Sequence, residues 1–270
     1  MHFQGFVQST MDLFRCYLHS TTKQCLDEEK LDDYLGQQEL HAGSDVAVIT
    51  MMGSFCPIHR GHVAAFEEAR AMLLRKKTRA KRPTKLENFA CVVGMLSLCR
   101  SEYVERKLMR MGVAALSDIQ RHHLCELAIS EFPWLTIVEH QGLLPGMRVT
   151  EHPPESVENL RLRWPELRLH HFVLVGADNV LRYSMYTWCR GGIGRIICYG
   201  RQGYSEDVVK EAGNEGVDFD AGFFIMAPEL PDVSSTDVRI ALKNGNAKKI
   251  NSLLHPDVAE WCCKYGPWQP

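Results

Sequence analysis

Long apolar runs are the first thing missing. No stretch of the 270 residues approaches the roughly 18 to 20 consecutive apolar positions that a membrane-crossing helix needs. An excess of charge of one sign is missing too. With 31 Lys and Arg against 33 Asp and Glu, the formal net charge is −2, so the overall charge asks for neither a nucleic acid nor a membrane surface as partner. The opening segment MHFQGFVQSTMDLFRCYLHS lacks a basic flank, an apolar block and a small-residue cleavage site, which argues against a secretory leader. Ten cysteines are present, yet none forms a Cys-x-x-Cys pair. They lie in apolar runs such as FACVVGMLSLC and RIICYG, or side by side at Cys262 and Cys263. That distribution suits buried thiols in a reducing compartment better than a disulfide framework or a zinc site. The Gly-x-x-x-x-Gly-Lys-Ser/Thr phosphate loop is absent, and so is any internal repeat. The expectation is an intracellular, cytoplasmic protein.

What is there is an alternation. Residues 1–44 are polar and interrupted, with one helical stretch about Thr22 to Leu35, and read as an N-terminal extension. From 45 to 270 the chain reads as one domain. Short β-rich apolar runs occur at 45–52 (DVAVITMM), 89–96 (FACVVGML), 134–140 (WLTIVEH), 170–178 (HHFVLVGAD), 194–201 (GRIICYGR) and 221–228 (AGFFIMAP). Between the first two, Val63, Phe66, Ala69 and Leu73 recur at helical spacing, with Glu67, Glu68 and Arg70 on the other face. A second helix is expected from about Ser117 to Glu131, capped by Ser117 or Asp118. The segment 141–168 is an excursion carrying one short helix, and two or three short helices close the chain from Ser235. Strands apolar on both faces, joined by helices, predict an α/β fold: a doubly wound parallel sheet with helices on both faces. Ligands of such sheets bind beyond the carboxyl ends of the strands, which directs attention to the loops after the first, fourth and sixth.

The first loop is Gly53-Ser54-Phe55-Cys56-Pro57-Ile58-His59-Arg60-Gly61-His62. Gly53 permits close backbone approach, and Pro57 stiffens the turn. His59 and His62, three apart at a helix start, share one side where unpaired N–H groups and a partial positive charge favour phosphate. Taken alone, the string is also a tight turn with two surface histidines. After the sixth strand, Val233-Ser234-Ser235-Thr236-Asp237-Val238-Arg239 opens a helix. Its hydroxyls can cap the helix and turn toward a phosphate, and Arg239 one turn on can face a polyphosphate. Alone, it is equally an ordinary cap with a surface arginine. The fourth strand ends in Gly176-Ala177-Asp178, which alone reads as a helix cap.

The first loop resembles the nucleotidyltransferase signature G-x-F-(D/N)-P-x-H-x-G-H, with His-x-Gly-His complete. The string at 233–239 resembles the I-S-S-T-x-I-R motif of nicotinamide/nicotinate mononucleotide adenylyltransferases, and Gly176-Ala177-Asp178 their G-x-D segment. The likeness runs in order over roughly residues 45 to 265, and is to the eukaryotic-like members of that family. It implies a Rossmann-like nucleotidyltransferase fold and transfer of AMP from ATP to nicotinamide or nicotinate mononucleotide. By the same resemblance, His59, His62 and Arg239 act in catalysis. Gly53, Ser54, Phe55, Gly176, Asp178, Arg201, Ser235 and Thr236 join them around ATP. Ser54, Phe55, Lys107 and Trp188 meet the mononucleotide, with Trp188 stacking on the pyridine, and Mg²⁺ arrives mainly on the ATP phosphates.

Cys56 departs from the pattern by standing where Asn or Asp is usual, and the family's Trp after the third strand is represented by His140 or by nothing. Lys107 is the stronger candidate over Arg110 for the family's phosphate-binding lysine. The run 75–82 (RKKTRAKR) reads as a solvated connector, or as a nuclear import signal. Rival readings are another phosphorylated acceptor, CTP in place of ATP, and a nucleotide-binding sensor or chaperone without turnover. The acceptor base, the oligomeric state and the role of residues 1–44 stay open.

Overall fold

In the computed structural model, residues 29–75, 83–139, 154–192 and 194–269 are described. Six strands form one sheet: β1 (Asp45–Gly53), β2 (Cys91–Leu98), β3 (Leu135–Glu139), β4 (Arg168–Gly176), β5 (Ile196–Gly200) and β6 (Phe224–Glu229). Every pairing is parallel, and the spatial order is β3-β2-β1-β4-β5-β6. All eight residues of β2 are buried, as are Val46 to Met51 of β1. Side chains alternate between faces along a strand, so burial without alternation means that both faces are covered.

The helices are α1 (29–36), α2 (Arg60–Leu73), α3 (Ser101–Met109), α4 (Asp118–Ala128), α5 (Glu155–Arg163), α6 (Ala177–Arg182), α7 (Ser205–Asn214), α8 (Ser235–Lys243), α9 (Ala247–Leu253) and α10 (Pro256–Tyr265), with a 3₁₀ segment at Met185–Gly192. α2 buries Ala65, Phe66, Ala69, Met72 and Leu73, its expected apolar stripe. Ser117 caps α4 in a reciprocal pair with Gln120. Two helices fall in stretches that read only as polar. α3 buries just Val104 and Leu108, and α7 just Val208 and Ala212, single turns of apolar character on otherwise hydrophilic helices.

α1 packs within the core, although it lies in the stretch read as an extension. Leu31 and Leu35 are 1% exposed and join the main apolar cluster. Asp32 accepts from Trp164 Nε1 at 2.7 Å and pairs with Arg163, and Tyr34 accepts from Arg70 at 2.9 Å. The earlier part of that helical stretch, the run 76–82 and His140 lie outside the described residues.

The chain steps outward from β1 to β2 to β3, then returns to place β4 against the other edge of β1. β1 and β4 are therefore where the winding reverses, and the loops leaving their carboxyl ends diverge to leave a crevice. The loop after β1 and the turn at Gly176 open onto it.

Candidate nucleotide site

The loop joining β1 to α2 is shaped by what lies beneath it. Phe55 adopts φ +40°, in the left-handed region that a non-glycine residue rarely enters. Its ring is 1% exposed and folds back under Gly53, where a Cβ would sit 2.7 Å from the ring. Glycine at 53 is what lets the aromatic ring anchor the loop from beneath.

Three donors from distant elements hold the loop by its carbonyls. Arg121 of α4 donates to Ser54 O at 3.1 Å, Arg239 of α8 to Cys56 O at 2.8 Å, and Ser235 Oγ to Pro57 O at 2.9 Å. With these three oxygens already accepting hydrogen bonds, an anion beside the loop meets less of their negative charge. The Cys56 thiol is buried and accepts from the Leu116 N–H at 3.3 Å, so this side chain packs structurally. Burial pushes that thiol's pKa up.

His59 is the N-cap of α2 and His62 its third residue. The rings stack with centroids 3.6 Å apart, and His62 also meets Phe55 edge-on at 5.0 Å. The His59 backbone N–H donates to His62 Nδ1 at 3.1 Å. Because Nδ1 accepts, a neutral His62 carries its proton on Nε2 and is a donor there. Burial first, then the neighbouring Arg201, lowers the His59 pKa to about 4. Burial, then His59 and Arg201, holds His62 well below its usual range. Both imidazoles are neutral at pH 7. His59 Nδ1 is buried without a hydrogen-bond partner, an open polar valence beside a helix N-terminus.

Across the crevice, Ser234 caps α8 in a reciprocal pair with Asp237. Ser235 and Thr236 are the first two residues of α8. Thr236 is exposed and accepts from Arg239 at 2.9 Å. Arg239 is 7% exposed: two of its bonds go to Cys56 and Thr236 instead of to open solvent. At the end of β4, a Cβ on Gly176 would sit 2.7 Å from Asp178 Oδ1, so glycine admits the carboxylate. Asp178 pairs with Arg201 at 3.2 Å, and Arg201 also reaches Asp232 at 3.7 Å.

Lys107, on α3, brings its Nζ to 3.4 Å from Ser54 Oγ, whereas Arg110 stands at the exposed end of the same helix. Trp188 sits in the 3₁₀ segment, half-buried against a second apolar cluster that includes Ala177, Met185 and Phe224. The structure thus assembles Gly53, Ser54, Phe55, His59, His62, Lys107, Ser235 and Arg239 around one loop, with Thr236 beside Arg239, and joins Asp178 to Arg201 next to it. Trp188 alone packs apart, in the second cluster. Sequence reasoning missed Arg121. A basic residue within DIQRHHLCELA reads as a solvated position, and only its place one turn after the Ser117 cap hints otherwise. A depression of about 410 Å³ lies at the opposite end of β6, lined by Cys189, Val217 and Phe223 among others. The convergent polar groups, not that cavity, mark the site.

A six-stranded parallel sheet in this order, with a helix N-terminus at the reversal point, is a Rossmann-like α/β fold. It is the fold of the nicotinic acid mononucleotide adenylyltransferase of Plasmodium falciparum. Against that enzyme complexed with APC the TM-score is 0.50 at 14% identity, covering 82% of this chain and 96% of that one. Against the same enzyme complexed with NaAD it is 0.49 at 14% identity, covering 84% and 98%. Neither a protein-family model nor a curated protein sequence matches the chain.

Proposed function

We propose that this protein transfers the AMP of ATP to nicotinamide or nicotinate mononucleotide, forming the dinucleotide and releasing pyrophosphate. The observation that carries the reading is the stacked His59–His62 pair at the N-terminus of α2, beside a loop whose carbonyls already accept hydrogen bonds. Such a surface presents N–H donors and positive potential to a polyphosphate. The Ser234-Ser235-Thr236 start of α8 offers a second one to the β and γ phosphates.

The chemistry is an in-line displacement. A phosphate oxygen of the mononucleotide bonds to the α-phosphorus, and the bond from that phosphorus to the bridging oxygen breaks, leaving pyrophosphate. A phosphate monoester is already ionised near neutral pH, so no general base is required. The protein's part is alignment and stabilisation of developing charge. His62, donating from Nε2, faces the oxygens whose charge grows. Lys107 and Ser54 receive the acceptor's phosphate, and Asp178 the ribose. Trp188 would offer the acceptor's base an aromatic surface. Among the described residues no three His, Cys, Asp or Glu side chains converge to hold a metal ion. Magnesium would enter with ATP as part of the substrate and would there neutralise charge on the phosphates.

The test is an assay with ATP, Mg²⁺ and each mononucleotide in turn, following pyrophosphate and dinucleotide together. Dinucleotide is expected, and His62→Ala should lower turnover by on the order of 100-fold or more while weakening ATP binding far less. Equal losses in both would remove His62 from the transition state. ATP binding without product from either mononucleotide would favour another acceptor or a non-catalytic nucleotide sensor.

A further inference from the structure

The fourth residue of α4, Arg121, is the largest fully buried side chain of the described chain, with no exposed surface. Burying a guanidinium costs free energy that an apolar side chain of similar size would not incur. Arg121 also leaves its Nε buried without a hydrogen-bond partner, which adds to that cost. Its other nitrogens are all committed to one place. One donates to Ser54 O at 3.1 Å, the other to Cys99 O at 2.7 Å and to the Asp118 carboxylate. Ser54 follows the last residue of β1, and Cys99 follows the last residue of β2. The Cys99 N–H itself donates to Gly53 O at 2.9 Å. A single planar fork therefore locks together the two peptides at which the chain leaves adjacent strands for the crevice. A fork is required for this, because an ammonium cannot bridge both carbonyls with fixed geometry.

The consequence falls on one side of the site. Ser54 Oγ is the group that Lys107 Nζ approaches, while the histidine pair and α8 are held by bonds that do not involve Arg121. We infer that Arg121 is a positioning residue: through the Ser54 peptide it sets the Ser54–Lys107 pair that receives the acceptor's phosphate, leaving ATP to the other half of the crevice. The inference rests on the proposed adenylyl transfer and adds to it a division of labour between the two substrates.

Two variants test it. Arg121→Lys keeps the charge and loses the bridge. Asp118→Asn keeps the guanidinium and weakens its anchor on a half-exposed carboxylate, so it should fold even where the first does not. Each is compared with the parent for thermal stability, ATP-analogue affinity by calorimetry, and kcat and KM for the mononucleotide. The expected result is a loss in kcat/KM for the mononucleotide on the order of 10- to 100-fold for Arg121→Lys, and a smaller loss for Asp118→Asn. ATP-analogue affinity should stay within about threefold of the parent. Unchanged kinetics per folded molecule with only a lower melting temperature would overturn the proposal, and so would equal losses for both substrates.

A readout independent of turnover separates this inference from the reaction itself. Amide hydrogen exchange at Cys99 and Leu116, whose N–H groups donate to Gly53 O and to the Cys56 thiol, should speed up in both variants while Val46–Met51 of β1 and Val92–Leu96 of β2 stay protected. If the parent makes no dinucleotide, the reaction assignment fails, and accelerated exchange would still establish Arg121 as the loop's anchor. Unaltered exchange would sink the anchor whatever the reaction proves to be.

Discussion

At the scale of single residues, the site is built from groups whose bonding capacity is partly spent on the protein. Arg239 is the case in point. Its motif suggests a guanidinium aimed at phosphate, yet it is buried and bonded to Cys56 O and Thr236 Oγ1. Replacing it with Met would strand the Cys56 carbonyl, at a cost of about 1–3 kcal/mol. The prediction is that Arg239→Met lowers the melting temperature without any ligand present, and lowers ATP affinity as a consequence. Thermal melts in the absence and presence of an ATP analogue check this. Unchanged ligand-free stability together with lost ATP binding would mean that the guanidinium serves phosphate directly. The bonding of the site also explains what the sequence could reveal. Gly53, His59, His62 and Ser235 lie in two short strings at strand–helix turns, each of which alone is also an ordinary turn or cap, and only their resemblance to known motifs singles them out. The role of Arg121 depends on Ser54 and Cys99, 67 and 22 positions away, and no local pattern encodes that.

At the scale of elements, strands were legible because both faces are covered, which turns each into an apolar run, and all six appear within a few residues of expectation. Helices were legible in proportion to the area they bury. α2 hides five residues and reads clearly, whereas α3 and α7 hide two each and vanish into polar sequence. α1 shows the opposite effect: its surroundings look like an extension, but its Leu31 and Leu35 fill the core. Leu35→Ala should therefore cost about 2–5 kcal/mol of stability. KM and kcat of the folded fraction should not change, because α1 clamps α2 and α5 on the side away from the loop carbonyls. Denaturant unfolding measured beside steady-state kinetics decides the matter. A small stability change would show that α1 adds little to the domain.

At the scale of the whole molecule, the neutral imidazoles that suit the site couple it to acid. His59 has its pKa lowered to about 4 by burial and Arg201, and His171, which shares a 2.8 Å bond with Thr50 between β1 and β4, to about 3 by burial and Arg161. His62 is lowered as well. Each binds a proton more readily in the unfolded chain, where it titrates near 6.5, than in the folded one. Unfolding then takes up protons below pH 6.5, so stability is greatest above that value and declines as the pH falls toward each folded pKa. His59 alone accounts for about 2 kcal/mol between pH 7 and pH 5, or about 5 °C in melting temperature. A polyphosphate at the histidine pair acts in the other sense, since an anion favours the imidazolium and raises the pKa of the bound state. The stabilisation conferred by an ATP analogue should therefore grow as the pH drops from 7 to 5, even while the ligand-free protein weakens. Thermal melts at both pH values, with and without the analogue, read both effects at once. His62→Asn should reduce the pH dependence of each, whereas a ligand shift that is the same at both pH values would place the phosphates away from the imidazoles.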